Sequence, residues 1–318
     1  MKKSSPPEFK PPWSNDPNKR DEHPRDASTV ILLREGPSSE GPEVFMVRRH
    51  GKASFMGGIW VFPGGKVDAA DSDPTLLVLA PAGTAERAAT RLEEARSEAP
   101  SAQAAFALHV AAARELFEEA GVLLARPASE DRPGGSLPIE EWRSRIHEGV
   151  VSFATMLAQE GLLLDLDGLS YVSRWLTPSA EAMRFDARFF ALRLPEGQTA
   201  RADRKETTKG EWRTAGRFLE AHAEGELTLA PPNIRNLEDL AAHRSIDDYL
   251  DAMKSRPVAP ILPKMVMDGS TMKVLLPWDP SYDTFEGESL DLGPAPHPLA
   301  EVGGPPRFVL RDGRFFSQ

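Results

Sequence analysis

The chain contains no cysteine, which excludes disulfide staples and thiolate metal sites from the outset. It also lacks any apolar run approaching the roughly 18–20 residues of a membrane-spanning helix, so no membrane partner is expected. Positive charge is in deficit: 48 acidic residues face 38 basic ones, a formal net charge of -10. Such a chain has no global field for gripping nucleic acid. Its seven histidines show no metal-ligand spacing and read as surface residues. Met1 to Ala27 has six prolines and no apolar h-region, so residues 1–27 read as a disordered arm rather than a signal peptide. The final Phe316-Ser317-Gln318 is no S-K-L type address. These absences favour a cytoplasmic location. They also pose a problem: an acidic chain acting on a phosphate ester needs local positive charge, and a bound divalent cation would supply it.

What remains is an ordinary globular composition, 40% hydrophobic and 27% charged, over 318 residues. Ser28 to Arg34 reads as a buried strand and Glu43 to Arg48 as its return. Ile59-Trp60-Val61-Phe62 is a short apolar segment closed by Pro63-Gly64-Gly65. Ala69 to Ala105 is rich in Ala, Glu and Arg, with a helical excursion expected around Glu86 to Ala99. Helices are predicted over Gln103 to Ala120, Glu140 to Glu160, Asn233 to His243 and Ile246 to Lys254. Leu169 to Leu176 and Ala187 to Leu194 read as strands, and Trp212 to His222 as a strand followed by a short helix. From Pro257 ten prolines interrupt short apolar pieces, so the last segment reads as strand and loop without a core of its own.

The helix ending at Ala120 carries the chemistry. At 100° per residue, Glu115, Glu118 and Glu119 share one face, while Phe106, Val110, Ala113, Leu116 and Phe117 gather on the other. Gly121 stands where a helix end favours a left-handed residue. Three clustered carboxylates repel one another, and Arg114, a turn before Glu118, can screen only part of that. A solvated acidic face is the simpler reading of such a triplet. Phe62-Pro63-Gly64-Gly65 tips the balance, because glycines at a strand end let the backbone approach a metal or phosphate closely. Mg²⁺, which takes oxygen ligands and is commonly shared between carboxylates and phosphates, suits that combination.

The two pieces together resemble the Nudix box, G-x5-E-x7-R-E-U-x-E-E-x-G-U, where U is a bulky aliphatic residue. Gly65 supplies the leading glycine, and Arg114-Glu115-Leu116-Phe117-Glu118-Glu119-Ala120-Gly121-Val122 matches every fixed position of the second half. Lys66 to Ala113 is 48 residues where the family has 13, an insertion of 35. Counted back from the arginine, the first glutamate of the box falls on Phe106; counted forward from Gly65, it falls on Asp71. A box divided in this way is similar to the peroxisomal-type coenzyme A diphosphatase-like subgroup. Arg174-Trp175-Leu176-Thr177-Pro178 and Arg184-Phe185-Asp186-Ala187-Arg188-Phe189-Phe190 resemble further signatures of that subgroup. For the side chains of Trp175, Phe185, Phe189 and Phe190, plain core packing is the preferred reading.

The resemblance implies an α/β fold, the Nudix α/β/α sandwich with a mixed sheet, over residues 28–256. Residues 72–106 form a helical insertion, as a lid or an oligomer contact in a homodimer, and residues 257–318 an extended tail packed on the domain. It implies Mg²⁺ or Mn²⁺ held by Glu115, Glu118, Glu119 and the Gly65 carbonyl, with Arg114 orienting the acids and Gly64 in the same bend. A further glutamate from a later loop is expected at Glu206, with Glu211 as the fallback. Arg48 and Arg49, at the end of the second strand, are candidates for substrate phosphates. The reaction implied is cleavage of a phosphoanhydride in a nucleoside diphosphate derivative, with coenzyme A or acyl-coenzyme A the leading substrate. Arg49, Gly58 and Phe62-Pro63-Gly64-Gly65 match the motif of coenzyme A-cleaving members, whereas His50 and Ser54 do not, and Ser54 replaces an arginine. ADP-ribose, NADH or a nucleotide sugar is the alternative within the same chemistry. A binding module without turnover is the alternative outside it.

Overall fold

The computed structural model describes residues 23–36, 40–51, 57–129, 137–203 and 205–318. Most of the N-terminal arm, and Ser54, lie outside the described residues. In chain order the strands are β1 (Arg25–Arg34), β2 (Glu43–Arg49), β3 (Trp60–Val61), β4 (Gly64–Lys66), β5 (Ala125–Pro127), β6 (Leu162–Leu164), β7 (Ser170–Leu176), β8 (Phe185–Arg193), β9 (Thr207–Thr214), β10 (Pro260–Ile261), β11 (Lys264–Asp268), β12 (Thr271–Leu275), β13 (Arg307–Arg311) and β14 (Arg314–Ser317). The α-helices are α1 (Pro74–Val78), α2 (Thr84–Arg91), α3 (Ala102–Ala120), α4 (Ile139–His147), α5 (Phe153–Gln159), α6 (Ala215–Ala223), α7 (Pro231–Ala241) and α8 (Ile246–Ser255). None of them is long and apolar enough to cross a membrane.

The main sheet runs β10-β7-β8-β1-β2-β3, with β4 also on β1 and β9 also on β2. It is mixed: β1 lies parallel to β8 over nine residue pairs, and antiparallel to β2 and β4. That long parallel pairing explains why β1 starts at Arg25 rather than Ser28. Strand residues alternate between two cores. Val30 and Leu32, Phe45 and Val47, and Phe190 and Leu192 pack with α2, α3 and α5 on one face. Ile31 and Leu33, Val44 and Met46, and Phe189 and Ala191 pack with α6, α7 and α8 on the other. The result is the three-layer α/β/α arrangement expected.

Three local expectations need correction. Glu140 to Glu160 is two helices, because Gly149 adopts φ 68° and Ser152 starts α5 by accepting from the Thr155 N–H at 3.0 Å. The helical excursion of the insertion ends at Arg91, short of Ala99, and Arg96 within the expected span adopts φ 61°, outside any right-handed helix. His109 and His222 are core rather than surface residues, at 0% and 3% exposure. His109 Nδ1 donates to the Ala105 carbonyl at 2.8 Å and its ring lies on Phe190. His222 Nε2 donates to the Phe315 carbonyl at 2.7 Å, while Nδ1 accepts from the Leu229 N–H.

The insertion packs into the domain. Leu76, Ala88 and Leu92 are buried in the core beside α3. Glu94 pairs with Arg174 on β7 at 2.7 Å, and the Ala95 N–H donates to the Val258 carbonyl at 2.8 Å. The tail forms its own sheet, β11-β12-β13-β14, whose Val274, Phe308 and Phe315 join the core with α6 and α7. Arg314 Nη1 donates to the His222 and Ala223 carbonyls at the C-terminus of α6, where helix carbonyls lack partners.

Candidate active site

Helix α3 is fixed at both ends. Ser101 accepts from the Ala104 N–H at 3.2 Å, and Gly121 closes the helix at φ 70° with its N–H on the Phe117 carbonyl. Phe106, Val110, Ala113, Leu116 and Phe117 are each at most 2% exposed. The acidic face is therefore carried on a rod with little freedom to move. Arg143 of α4, which no sequence motif singles out, donates through Nε and Nη2 to the Glu118 carbonyl at 3.1 and 2.8 Å.

Arg114 organises the face. Its Nε and Nη2 donate to the two oxygens of Asp71 at 2.7 and 2.9 Å, and Nη1 reaches Glu115 at 2.9 Å and Glu118 at 3.2 Å. Asp71 is 1% exposed and also accepts from the Asp68 N–H. A planar guanidinium gripped on two sides makes Arg114 a fixed spacer between the insertion's start and the acids. Asp71, reached by the forward count from Gly65, lies against Arg114, while Phe106, reached by the backward count, is a core side chain.

The double glycine abuts these acids. The Gly64 N–H donates to Glu119 Oε2 at 3.0 Å. A Cβ on Gly65 would overlap the Glu115 carboxylate, and one on Gly64 would meet the Ser28 carbonyl oxygen at 2.5 Å. Burial pushes the Glu115 carboxyl up to about 7, with Arg114 opposing the shift and Glu118 adding to it. Burial also raises Glu118, against Arg114, and raises Glu119 well above the usual range with the help of Glu115. The single guanidinium falls short of balancing the three charges.

The donor set is oxygen only and suits a hard divalent cation. As arranged, Glu115 and Glu118 turn towards Arg114 and Glu119 towards Gly64. Among the described residues, no three acidic or histidine side chains converge on a point that could hold a metal. The residues fit such an ion in chemistry and neighbourhood.

All three acids line a cavity of about 520 Å³, together with Gly64, Gly65 and Arg49. That is the size of a small-molecule site. Opposite in character are Trp175, Leu176, Met183, Phe185 and Phe189 from β7, β8 and their connection, and Met265, Val274 and Phe315 from the tail.

The NUDT19 Nudix domain model matches residues 24–240. The chain is a Nudix hydrolase of this family. It is 31% identical over 274 residues to chicken acyl-coenzyme A diphosphatase NUDT19, covering 73% of this chain and 71% of the relative. The human acyl-coenzyme A diphosphatase NUDT19 is 29% identical over 276 residues, 77% of this chain and 74% of that protein. Among solved structures, a NUDIX hydrolase from Alicyclobacillus acidocaldarius superimposes with a TM-score of 0.58 at 27% identity, covering 75% of this chain and 99% of that one. As a Nudix hydrolase, the protein acts on diphosphate bonds.

The Nudix reading of the remaining residues is mixed. Glu206 lines the cavity at the start of β9, with His147 Nε2 at 3.7 Å from its Oε1. Glu211 is instead held by Lys209 and Arg213 away from the cavity. Of the two arginines only Arg49 reaches the cavity. The β2–β9 ladder shifts register between them, and Arg48 turns outward, its Nε donating to the Gly58 carbonyl at 3.2 Å. The insertion, expected as a lid or oligomer contact, contributes no lining residue between 72 and 106. Plain core packing holds for Phe190, and for Trp175 and Phe189, which are buried in the second core and also line the cavity; Phe185 lines the cavity half-buried. A register shift between Tyr171 and Ser173 sets the face of Trp175, since one extra residue reverses which face the rest of β7 presents. Arg174 and Asp186, drawn from the two signatures, form a bidentate pair at 2.8 and 2.7 Å that locks β7 to β8.

Proposed function

We propose that the protein hydrolyses the diphosphate of coenzyme A or acyl-coenzyme A with Mg²⁺ or Mn²⁺, giving adenosine 3′,5′-bisphosphate and (acyl-)4′-phosphopantetheine. One observation carries the hydrolytic part: Glu115, Glu118 and Glu119 share a cavity wall with the double glycine that touches two of them. The substrate part draws on the names of the relatives and on a cavity whose other wall is apolar.

Glu115, Glu118, Glu119 and the Gly65 carbonyl would hold the divalent ion. Bound there, it would supply charge neutralisation for the diphosphate and a more acidic water. Arg114, held by Asp71, keeps Glu115 and Glu118 spaced before the ion arrives. Arg49 lines the same wall and its charge is felt at Glu119, so it is placed to pair with a phosphate oxygen. Glu206, 59% exposed at its side chain, is the carboxylate able to swing towards the ion or the attacking water. Water adds to one phosphorus, the bridging oxygen leaves with the other phosphate, and positioning with charge neutralisation provides most of the rate.

A panel of coenzyme A, acyl-coenzyme A, ADP-ribose, NADH and nucleotide sugars with Mg²⁺ or Mn²⁺, read by product mass, tests this. A 3′-phosphorylated adenylate from coenzyme A is expected. Turnover confined to ADP-ribose, NADH or sugar nucleotides rejects the substrate; tight binding without any phosphate product rejects the enzyme.

A further inference from the structure

Among the described residues, three that line the cavity carry a buried polar atom without a hydrogen-bond partner: Arg49, beside the acids, and Trp175 and Glu181, away from them. Glu181, between β7 and β8, is 7% exposed and its Oε2 lacks a hydrogen-bond partner. Trp175, near the end of β7, is 3% exposed and its Nε1–H lacks an acceptor. Both residues line the cavity. Folded proteins leave few such groups unpaired, because their lost hydration is not replaced. Trp175 and Glu181, on adjoining segments of chain, are groups that a ligand completes.

The chemistry of that ligand follows from its surroundings. Leu176, Met183 and Phe185 on one side, and Met265, Val274 and Phe315 from the tail on the other, make the walls apolar. Burial alone pushes the Glu181 carboxyl up to about 7, and an anion beside it would be penalised further. Indole offers only a donor, and a carboxyl offers an acceptor in either protonation state. A donor and an acceptor among apolar side chains match a secondary amide on an uncharged, flexible chain.

We propose that this wall is the subsite for the non-nucleotide arm of the substrate, with Trp175 Nε1 donating to an amide carbonyl and Glu181 accepting from an amide N–H. The inference rests on the coenzyme A reading, because the pantetheine arm is an uncharged, flexible chain with two secondary amides. It makes Glu181 and Trp175 specificity residues, and gives the C-terminal tail a share in the site.

The test uses the two product halves as separate probes in titration calorimetry of the full chain. Glu181→Leu and Trp175→Phe are each expected to weaken 4′-phosphopantetheine about tenfold, equivalent to about 1.4 kcal/mol. Adenosine 3′,5′-bisphosphate should shift by less than about twofold, the loss of one remote contact being invisible to it. Glu181→Gln, which keeps an acceptor, should recover most of the phosphopantetheine affinity, and melting curves identify any variant that fails to fold. Equal weakening of both halves, weakening of the bisphosphate alone, no change, or no phosphopantetheine binding by the wild type overturns the subsite. Wild-type protein that releases no phosphopantetheine from coenzyme A overturns the coenzyme A reading itself. Release with variants that bind like wild type overturns the subsite alone.

Discussion

The two walls of the cavity are built in opposite ways. The acidic wall takes Arg114, Glu115, Glu118 and Glu119 from six consecutive residues of one helix, tied by Asp71 and the Gly64 N–H. The apolar wall is assembled from β7, β8, their connection, the start of α7 and the C-terminal sheet. Ion coordination tolerates errors of only about 0.5 Å, so its ligands belong on one rigid, locked element. Apolar contact is non-directional, and elements far apart in sequence can supply it jointly. Errors in the first wall should therefore cost rate, and errors in the second should cost stability and substrate choice.

The largest expected effect is on the acidic wall. Glu118→Gln should lower turnover about 10³-fold with an unchanged melting temperature, the several kcal/mol of charge stabilisation that a metal-held phosphoryl oxygen represents. Steady-state kinetics beside a thermal melt check both halves of that statement. Arg114→Ala should break the division, because it leaves Asp71 buried without its partner. A loss of about 3–5 kcal/mol in denaturant unfolding is expected, along with the loss of rate. On the apolar wall, Phe315→Ala should cost about 3 kcal/mol as a core truncation. Its effect on catalysis should appear in KM more than in kcat, which a comparison of the two constants reveals.

The smallest effect concerns the anchor beneath the acids. Burial pushes His109 down to about 4, against an ordinary 6.5. A depressed histidine gives stability that is present above pH 6.5 and drains away as the pH falls through 4, because the unfolded chain binds the proton first. Urea melts from pH 7 to pH 4 should lose about 2–3 kcal/mol to this group, and His109→Gln should flatten that slope. An unaltered slope in the variant would assign the acid sensitivity elsewhere.

The acidic wall was legible in the sequence because its information is local. Helical periodicity fixes which of Glu115, Glu118 and Glu119 share a face, and the capping Gly121 fixes where the rod stops. The 35-residue interruption hid Asp71 but left a countable register from Gly65. The apolar wall was not legible. Trp175 owes its orientation to a one-residue irregularity in β7, which no alternation pattern announces. Arg48 and Arg49 looked equivalent, and the register shift between them in the β2–β9 ladder is another irregularity that no alternation pattern announces. Phe315 lies 200 residues from Glu115 along the chain and reaches the cavity only because the tail folds back onto α6 and α7. Glu181 carries no local signature at all; its role rests on what surrounds it.

The most direct test of the account is Mn²⁺ binding to the wild-type protein and to Glu115→Gln, Glu118→Gln and Glu119→Gln, followed by electron paramagnetic resonance of the free ion. Wild-type protein should remove Mn²⁺ from solution, and each variant should bind it at least about tenfold more weakly while melting as a folded protein. Equal binding by all four proteins would contradict the assignment of these acids, whatever the products of the reaction prove to be.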